Sequence, residues 1–500
     1  MDSGLRRNDI GAGNAQTKDD AMTELHKNLI NGEWVGGDAA DNINPSNIKD
    51  VVGTYARASQ QDTLDAIAAA KAAFPAWSRS GILQRWEILS KTAHEIFARK
   101  AELGELLSRE EGKTLAEGIG EATRAGQIFE FFAGEALRLS GESVPSVRPG
   151  VGVEMTREAI GVVGIITPWN FPIAIPAWKI APALCYGNTV VIKPADLVPG
   201  CTWAIVDILQ RAGLPKGVLN LVMGRGSVVG QVMLDSKDVA AMTFTGSVGT
   251  GRKVAEASVK VMRKFQLEMG GKNPTIVLDD ADLKVAVESV AQSAFFSTGQ
   301  RCTATSRVIV TEGIHDAFVD ALCERTKNLR VGDALSKDTE IGPVVDAGQL
   351  KQDMDYIEIG QSEGAKLRVG GQRLNRETEG FFLQPALFTE VNNNMRIARE
   401  EIFGPVAAVI RVKDYEEALS VANDTEFGLS AGIVTTSLKY ATHFKRNAEA
   451  GMVMVNVPTA GVDFHVPFGG RKGSSYGPKE QGKYAAEFFT QVKTAYTAAG

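Results

Sequence analysis

The feature that most constrains the fold of this chain is a series of short apolar segments, each followed by turn residues and a helical stretch. The first of these segments are strand-sized and lie at residues 161–166, 189–192, 217–223 and 239–245. Short apolar runs of this kind are typical of strands buried on both faces of a parallel sheet. A second alternating series runs from about residue 275 to 457, with plausible strands at 308–310, 407–410 and 432–435. The sequence therefore predicts an α/β protein with parallel sheets covered by helices.

Length and charge narrow the class of protein. A chain of 500 residues is too long for one compact core, so we expect two or more domains. The formal net charge is −6 and the basic residues are scattered, which favours neither a nucleic-acid-binding protein nor a membrane-surface protein. No uninterrupted apolar stretch reaches the length of a membrane span. We therefore expect no nucleic-acid partner and no membrane partner.

Cysteine and histidine usage indicates the compartment and argues against a metal site. The four cysteines form no CxxC pair and no disulfide framework, so we expect free thiols in a reducing cytoplasm. The five histidines are too dispersed in sequence to predict a metal cluster. Residues 1–21 are polar and rich in Gly, Asp and Asn, which predicts a disordered extension and suggests Met22 as the biological start.

A cysteine that follows a glycine-containing turn is the first candidate for chemistry. In Phe-Phe-Ser-Thr-Gly-Gln-Arg-Cys, at residues 295–302, the glycine lets the backbone approach a ligand closely. The neighbouring cation Arg301 would favour the thiolate form of Cys302. Taken alone, a single cysteine is more often a small buried apolar residue.

A glutamate and an asparagine are the other two candidates. Glu268 lies in Leu-Glu-Met-Gly-Gly, an apolar setting that would raise its pKa towards the range of a general base. Asn170 lies in Thr-Pro-Trp-Asn-Phe-Pro, directly after a strand, where its amide could donate a hydrogen bond to an oxyanion. The alternatives are an exposed turn Glu and a turn Asn at a Pro-rich strand exit.

These three motifs, in this order, resemble the aldehyde dehydrogenase superfamily from about Asn28 to Tyr496. Four further segments carry the same resemblance: Lys-Pro-Ala-Asp at 193–196, Phe-Thr-Gly-Ser-Val-Gly at 244–249, Glu-Glu-Ile-Phe-Gly-Pro at 400–405 and Pro-Phe-Gly-Gly at 467–470. The resemblance implies a Rossmann-type parallel-sheet cofactor domain, an α/β catalytic domain and a β oligomerisation arm. It assigns residues 22–139 and 159–270 to the NAD(P)-binding domain, 271–465 to the catalytic domain, and 140–158 with 486–500 to the arm. The arm would pair with another subunit, giving a homo-oligomer, either a dimer or a tetramer.

The resemblance also assigns catalytic roles. Cys302 would be the nucleophile, Glu268 the base that activates water, and Asn170 with the Cys302 backbone N–H the oxyanion hole. Addition of a thiolate to an aldehyde gives a tetrahedral alkoxide, whose collapse expels hydride to nicotinamide and leaves a thioester. Water activated by Glu268 would then release the carboxylic acid.

The expected cofactor site lacks the usual GxGxxG fingerprint. Instead, Gly246 and Ser247 follow the strand at 239–245 and open a helix, whose N-terminal N–H groups can hold a pyrophosphate. The alternative is an ordinary glycine turn with a Ser cap. By resemblance, the residues that contact NAD, or NADP in its place, are Ile166, Thr167, Trp169, Lys193, Asp196, Gly226, Gly230, Phe244, Gly246, Ser247, Glu401 and Phe403.

Three of these positions have specific expected roles. Lys193 would bind the adenosine ribose and Glu401 the nicotinamide ribose. Asp196 stands where many NAD-preferring relatives carry Glu, and an acid there can accept a hydrogen bond from the ribose 2′-OH and repel a 2′-phosphate. The alternative for Asp196 is a helix N-cap. We expect NAD to be preferred over NADP.

Residues 457–482 resemble the branch that includes bacterial α-ketoglutarate semialdehyde (2,5-dioxopentanoate) dehydrogenases. A mostly apolar aldehyde tunnel is expected, lined by Phe171, Ile175, Trp178, Phe296 and the loop at 457–465. Arg301 would bind a substrate carboxylate with help from His465, because its planar fork suits a bidentate pair. The alternative is that Arg301 pairs with a protein acid or carbonyl and does not contact substrate.

Other functions stay open at this point. The substrate could instead be succinate or glutarate semialdehyde, or a neutral or aromatic aldehyde. CoA-acylating relatives lack a Glu at the water-activating position, so Glu268 favours hydrolysis to a free acid. A non-catalytic structural or binding protein on the same fold is a further alternative, against which the intact Cys302, Glu268 and Asn170 argue.

Overall fold

The computed structural model describes residues 24–499. The extension predicted at residues 1–21 and the start predicted at Met22 lie outside the described residues. The strands are β1 (Leu25–His26), β2 (Asn28–Ile30), β3 (Glu33–Val35), β4 (Ala39–Asn44), β5 (Asn47–Ala56), β6 (Glu142–Pro145), β7 (Val151–Ala159), β8 (Val162–Ile166), β9 (Thr189–Lys193), β10 (Leu219–Leu221), β11 (Val239–Thr245), β12 (Lys264–Glu268), β13 (Asn273–Val277), β14 (Thr305–Thr311), β15 (Lys366–Val369), β16 (Ala386–Thr389), β17 (Val406–Val412), β18 (Ser430–Val434), β19 (Met452–Val455), β20 (Ser475–Tyr476) and β21 (Thr490–Ala498).

Helices alternate with these strands along most of the chain. They are α1 (Gln60–Trp77), α2 (Ile82–Ala98), α3 (Lys100–Glu111), α4 (Leu115–Ala136), α5 (Ala174–Cys185), α6 (Pro199–Arg211), α7 (Gln231–Asp235), α8 (Val248–Lys260), α9 (Leu283–Phe295), α10 (Glu312–Lys327), α11 (Ala347–Ser362), α12 (Arg396–Arg399), α13 (Tyr415–Asn423), α14 (Leu438–Asn447) and α15 (Ala486–Phe489). None of the helices in residues 24–499 is long and apolar enough to cross a membrane.

Two large sheets organise the described chain. The first has eight strands within residues 24–499, in the order β20-β12-β11-β8-β9-β10-β2-β3, and its central strands β12, β11, β8, β9 and β10 are parallel. The second has seven strands in the same described part, in the order β15-β16-β17-β14-β13-β18-β19, and all its pairs except β15–β16 are parallel. The α/β fold predicted from the short apolar segments is confirmed.

Both faces of the first sheet are buried, as its continuous apolar strands predict. In β8, Val163 and Ile165 belong to one hydrophobic core while Val162 belongs to another. In β9, Val190 faces the first of these cores and Val191 the second. Because successive side chains in a strand point to opposite faces, this division places one core on each side of the sheet.

Smaller elements accompany the two large sheets, and one of them is a three-stranded sheet in the order β1-β5-β4. β2 and β3 form a hairpin around Asn31 and Gly32, whose φ angles of 51° and 78° are the left-handed values that a tight two-residue turn requires. Strands β21, β7 and β6 form a separate three-stranded sheet, in which β21 is paired with β7 along its whole length. After its first residue, β21 is exposed throughout its described length.

Candidate active site

The expected cofactor residues lie at the carboxyl ends of three adjacent strands. β8, β9 and β11 are neighbours in the first sheet, and β8 is parallel to both of the others. Ile166, the last residue of β8, lies opposite Lys193 on one side and Phe244 on the other. The Thr167 N–H, just beyond, donates to the Lys193 carbonyl at 3.2 Å. The loops that leave these strands therefore meet at one edge, where open α/β sheets bind ligands.

Gly246 and Ser247 connect β11 to α8. A Cβ on Gly246 would lie 2.6 Å from the Phe244 ring, so a larger residue at this position would require the ring to move. Ser247 is the N-cap of α8, and its Oγ accepts the Thr250 N–H at 3.4 Å. The serine is thus a helix cap, and the 13-residue helix also directs its partly positive N-terminus to this edge of the sheet.

An ion pair follows the end of β9. The Lys193 Nζ lies 2.9 Å from the Asp196 Oδ1, and it also donates to the Pro194 carbonyl at 2.6 Å. Helix α6 begins at Pro199 with Val198 as its N-cap, so the alternative role of Asp196 as a helix cap is wrong.

Gly226 and Gly230 begin and end a single π-helical turn beside the same strands. A Cβ on Gly226 would lie 3.9 Å from the Lys193 side chain, and a Cβ on Gly230 would lie 3.7 Å from Ile166. The structure therefore places Gly226 next to the expected ribose-binding lysine and Gly230 next to Ile166, the last residue of β8.

The segment before Cys302 has an uncommon backbone conformation. Ser297, Thr298 and Gly299 have φ angles of 50°, 57° and 67°. Side-chain-bearing residues in the left-handed region cost energy and persist only where surrounding contacts hold them. Here the Ser297 N–H and Oγ each donate to the Glu117 Oε1 at 2.9 Å, and the Thr298 Oγ1 donates to a backbone carbonyl at 3.1 Å.

Cys302 is partly buried, and its surroundings disfavour the thiolate. Burial, followed by the negative charges of Glu268 and Glu401, raises its pKa to about 12. The expectation that Arg301 favours the thiolate is wrong for this structure. Arg301 forms an ion pair with Glu117 instead, with 2.9 Å between Nη2 and Oε1.

Glu268 ends β12 and is buried. Ser475 lies opposite it on β20, and the Ser475 Oγ donates to the Glu268 Oε2 at 2.5 Å. Burial, followed by the charge of Glu480, raises the Glu268 pKa to about 8, in the direction expected from the sequence. Glu480 in turn forms a buried ion pair with Lys179. The other oxygen of Glu268 faces Gly469, where a Cβ would lie only 2.5 Å away.

Asn170 is buried beside the segment that precedes Cys302. Its Nδ2 donates to the Gln300 carbonyl at 3.0 Å, while its backbone carbonyl accepts a hydrogen bond from the Lys113 Nζ. The structure therefore brings together the three residues that carry the expected chemistry. The charge of Glu268 acts on the Cys302 thiol, and the Asn170 side chain is hydrogen-bonded to Gln300, two residues before Cys302.

Two cavities meet at Cys302. The first has a volume of about 210 Å³ and contains five of the expected cofactor residues, which are Trp169, Gly246, Ser247, Glu401 and Phe403. In this cavity the Trp169 and Phe403 rings meet edge to face, 5.3 Å apart. Asn170 lines the same cavity, and so does Ile175, which the sequence placed in the aldehyde tunnel.

The second cavity has a volume of about 280 Å³ and matches the expected aldehyde tunnel only in part. Phe171, Trp178 and Arg301 line it as predicted, together with residues 460–462 of the predicted loop. Phe296 and His465 do not line it. Phe296 packs against the core of the second sheet, and His465 is exposed.

The lining of the second cavity is mostly apolar in exposed area, as predicted, but it includes charged side chains that were not expected there besides Arg301. The five charged residues that line it are Lys113, Glu117, Glu121, Arg124 and Arg301. Glu117, Glu121 and Arg124 are four and three residues apart on α4, a spacing that places them on one face of the helix. This spacing is visible in the sequence, but charges at helical intervals are ordinarily a solvated face, so the pattern gave no reason to expect a cavity wall.

The sequence and the fold are similar to those of known proteins. The model of the aldehyde dehydrogenase family matches residues 34–495. The α-ketoglutaric semialdehyde dehydrogenase of Bacillus subtilis is 46% identical over 94% of this chain and 97% of its own length. The α-ketoglutarate semialdehyde dehydrogenase of Haloferax volcanii is 44% identical over 95% of this chain and 99% of its own length. A crystal structure of Staphylococcus aureus betaine aldehyde dehydrogenase in complex with NAD+ has a TM-score of 0.92 at 34% identity, covering 94% of each chain.

Proposed function

The chain belongs to the aldehyde dehydrogenase family and carries out NAD-dependent aldehyde oxidation, and from this premise we propose that it hydrolyses a thioester formed on Cys302 to give a free carboxylic acid. The observation that carries the proposal is the meeting of both cavities at Cys302, with Glu268 buried nearby. The carboxyl group of Glu268 supports the hydrolytic route over transfer to CoA, because it can act as the base for water.

The proposed reaction divides into two additions at the same carbon. The Cys302 thiol gives up its proton to solvent water, and the resulting thiolate Sγ adds to the aldehyde carbonyl carbon. The oxyanion that this addition forms accepts hydrogen bonds from the Asn170 Nδ2 and the Cys302 N–H. Asn170 uses one N–H for the Gln300 carbonyl, which leaves its second N–H for the oxyanion. Collapse of the adduct restores the carbonyl, releases hydride and leaves a thioester. Glu268 then accepts a proton from water, whose oxygen displaces the Cys302 thiolate and forms the acid.

NAD, when bound, supplies the acceptor for this hydride. The residues at the 210 Å³ cavity fit such a group. The Glu401 Oε1 accepts the Gly271 N–H at 2.9 Å, and burial raises the pKa of this carboxyl to about 7. Its Oε2 has no hydrogen-bond partner among residues 24–499 and is available to a ribose hydroxyl. The N-terminus of α8 would hold the pyrophosphate, and Phe403 would pack near the nicotinamide.

We propose α-ketoglutarate semialdehyde as the substrate, on the strength of the names borne by the Bacillus and Haloferax relatives. A kinetic panel tests this with α-ketoglutarate, succinate and glutarate semialdehydes, betaine aldehyde, benzaldehyde and a medium-chain alkanal. NADH formation is followed by absorbance, with and without CoA. We expect the highest kcat/KM with α-ketoglutarate semialdehyde and no dependence on CoA. A panel led by benzaldehyde or the alkanal would contradict the substrate, and CoA dependence would contradict the hydrolytic route.

The division of the chain is part of the same proposal. We assign residues 22–139 and 159–270 to the cofactor domain, 271–465 to the catalytic domain, and 140–158 with 486–500 to the arm. The sheet membership supports it, because β8–β12 build the first sheet and β13–β19 the second. Strand β20, which the division leaves unassigned, returns to the first sheet. We further propose a homo-oligomer that pairs through the arm and works in the cytoplasm, where its unpaired cysteines would stay reduced.

A further inference from the structure

The charges in the wall of the 280 Å³ cavity do not balance. Three cations and two carboxylates line it, and four of these five groups are used in pairs. Glu117 binds Arg301 at 2.9 Å, and Glu121 binds the Lys113 Nζ at 3.0 Å. The remaining cation is Arg124. Among residues 24–499, no Asp or Glu oxygen lies within 4.0 Å of the Arg124 guanidinium nitrogens, so Arg124 forms no ion pair there.

The two carboxylates are also satisfied by other donors and cannot turn to Arg124 without loss. Glu117 Oε1 accepts the Ser297 N–H and Oγ, as described above. Glu121 Oε1 accepts the N–H groups of Ile173 and Ala174, both at 3.0 Å. These contacts fix Glu117 to the segment before Cys302 and fix Glu121 to the start of α5. The cavity therefore keeps one positive charge that the wall does not neutralise.

The contacts of Arg124 hold its guanidinium in place without using its hydrogen-bonding capacity. The Nη2 donates to the Gln481 Oε1 at 3.0 Å, and the guanidinium carbon lies 5.7 Å from the centre of the Trp178 ring. The Nε has no partner in the described part of the chain, and Nη1 makes no hydrogen bond there either. A guanidinium has five N–H donors, so most of them remain for a ligand.

Holding this cation without an anion costs free energy, which a bound anion would offset. Burial lowers the pKa of Arg124, against the more distant charges of Glu121 and the exposed Asp463. A desolvated cation that lacks a partner is unfavourable, and a planar fork beside an aromatic wall matches a carboxylate in two hydrogen bonds. The other two cations of the wall are already engaged by protein acids.

From these observations we infer that Arg124 binds the distal carboxylate of an ω-carboxylated aldehyde whose carbonyl carbon lies at Cys302. The inference rests on the proposed oxidation of acid semialdehydes and names the residue that selects them. Arg124 lies seven residues after Glu117 on α4, which is about 10 Å along the helix axis. Arg124, which would select the acid aldehydes, is thus set apart from Arg301, the residue next to the nucleophile. We therefore expect kcat/KM to depend on the length of the aldehyde as well as on its charge.

The test compares Arg124→Leu with the wild-type enzyme, using NAD and matched aldehydes that do or do not carry a terminal carboxylate. α-Ketoglutarate and glutarate semialdehydes form one set, and pentanal and benzaldehyde form the other. We expect the ratio of kcat/KM between the sets to fall by about 100-fold or more, mainly through KM, because a buried charged hydrogen-bond partner is lost. Arg124→Lys should retain part of the ratio, since an ammonium keeps the charge but not the fork.

Two controls isolate the effect. Arg138→Leu removes a largely exposed arginine just beyond the end of α4 and should leave the ratio unchanged. Competitive inhibition by glutarate, measured with pentanal as the substrate, reports carboxylate binding without an acid aldehyde. We expect glutarate to inhibit the wild type and Arg138→Leu, and to inhibit Arg124→Leu at least about tenfold more weakly. Melting curves confirm that each variant is folded, and Arg124→Lys replaces Arg124→Leu in both measurements if the latter does not fold.

The contrary outcomes separate the two claims. If the wild type prefers the acid aldehydes and Arg124→Leu keeps that preference, or if only Arg301→Leu abolishes it, the role of Arg124 is wrong and the proposed substrate stands. If the wild type prefers pentanal and benzaldehyde, the proposed substrate class fails and the role of Arg124 fails with it.

Discussion

Glu268 lies between two influences that act on its proton in opposite directions. Burial and the charge of Glu480 raise its pKa, while the hydrogen bond from Ser475 and the charges of Lys479 and Lys179 lower it. As a general base, Glu268 works only when deprotonated. Thioester hydrolysis should therefore slow as the pH falls through about 8, the value to which its pKa is raised.

A pair of substitutions tests this assignment through opposite shifts. Glu480→Gln removes a neighbouring negative charge and should move the acid limb of the kcat–pH profile to lower pH. Ser475→Ala removes the hydrogen bond to the carboxylate and should move the limb to higher pH. Profiles measured from pH 5 to 10 in both variants give the directions. Shifts of the same sign in both would show that another group controls the limb.

The two catalytic assignments predict different failures. Cys302→Ala should give no NADH with any aldehyde, because no adduct forms. Glu268→Ala should still transfer hydride but accumulate the thioester, so that rapid mixing gives a burst of about one NADH per active site and little turnover. Steady-state activity equal to the wild type in either variant would contradict the roles.

We predict that cofactor preference depends on Asp196, whose carboxylate lies 2.9 Å from the Lys193 Nζ. We expect NAD to be preferred over NADP, because the carboxylate accepts a ribose hydroxyl and repels a phosphate. Asp196→Ala should lower the ratio of kcat/KM for NAD to that for NADP by about tenfold, the equivalent of one hydrogen bond. Asp65→Ala, at an exposed position on α1, is the control. An unaltered ratio in Asp196→Ala would remove Asp196 from the ribose site.

Sequence motifs were sufficient to single out the residues that we propose as catalytic, and insufficient for those that surround them. Cys302, Glu268 and Asn170 each lie in a short segment with Gly or Pro, so local sequence marks them. The state of Cys302 was wrongly predicted, because the partner that takes Arg301 lies 184 positions earlier in the chain. Arg124 has no local motif at all, and its importance depends on which charges the fold brings beside it.

The side chain of Glu117 links the start of helix α4 to the turn before Cys302. The Glu117 Oε2 accepts two hydrogen bonds from Thr114, one from its N–H at 3.2 Å and one from its Oγ1 hydroxyl at 3.0 Å. These bonds complete a capping box at the start of the helix. The other oxygen holds Ser297 and Arg301, as described above. One carboxylate thus caps a helix and stabilises the left-handed backbone at residues 297–298.

Removing that carboxylate should affect stability and catalysis together. Glu117→Ala loses the Glu117 half of the capping box and leaves Arg301 unpaired, so we expect a loss of about 2 kcal/mol in stability, seen as a lower melting temperature. We also expect a lower kcat, because Cys302 follows the released turn. Glu130→Ala, at an exposed position on the same helix, should change neither quantity. If Glu117→Ala behaves like Glu130→Ala, Glu117 does not support the turn.

At the level of elements, strands were easier to predict than the turns that connect them to the site. The buried strands of the first sheet are continuous apolar runs, and the Asn-Gly hairpin has a strong local signal. The sequence Ser-Thr-Gly does not predict left-handed φ angles at both the serine and the threonine, because neither residue favours that region. Those angles are imposed by contacts with Glu117 and residue 342.

The projecting sheet of β6, β7 and β21 bears on the assembly of the whole molecule. Val492 and Tyr496 on β21 are 60% and 61% exposed, which is high for large apolar side chains on a strand at a sheet edge. We expect light scattering to give about two or four times the chain mass of 53.5 kDa. The double variant Val492→Asp and Tyr496→Asp should lower that mass.

A matched control guards this measurement against a general effect of added charge. Leu64→Asp, on α1, changes a residue that is 46% exposed and should leave the mass unchanged. A wild-type enzyme that is monomeric at micromolar concentration, or a double variant with the wild-type mass, would contradict assembly through the arm.

The two cavities that meet at Cys302 share no other lining residue in the described part of the chain. In the proposed reaction, an acyl group attached to this sulfur would therefore lie between the two cavities. We expect the spent dinucleotide to exchange through its own cavity while the acyl group still fills the other one. An inhibitor bound in the proposed aldehyde cavity would accordingly leave the dinucleotide cavity free, and raising the dinucleotide concentration should not displace it.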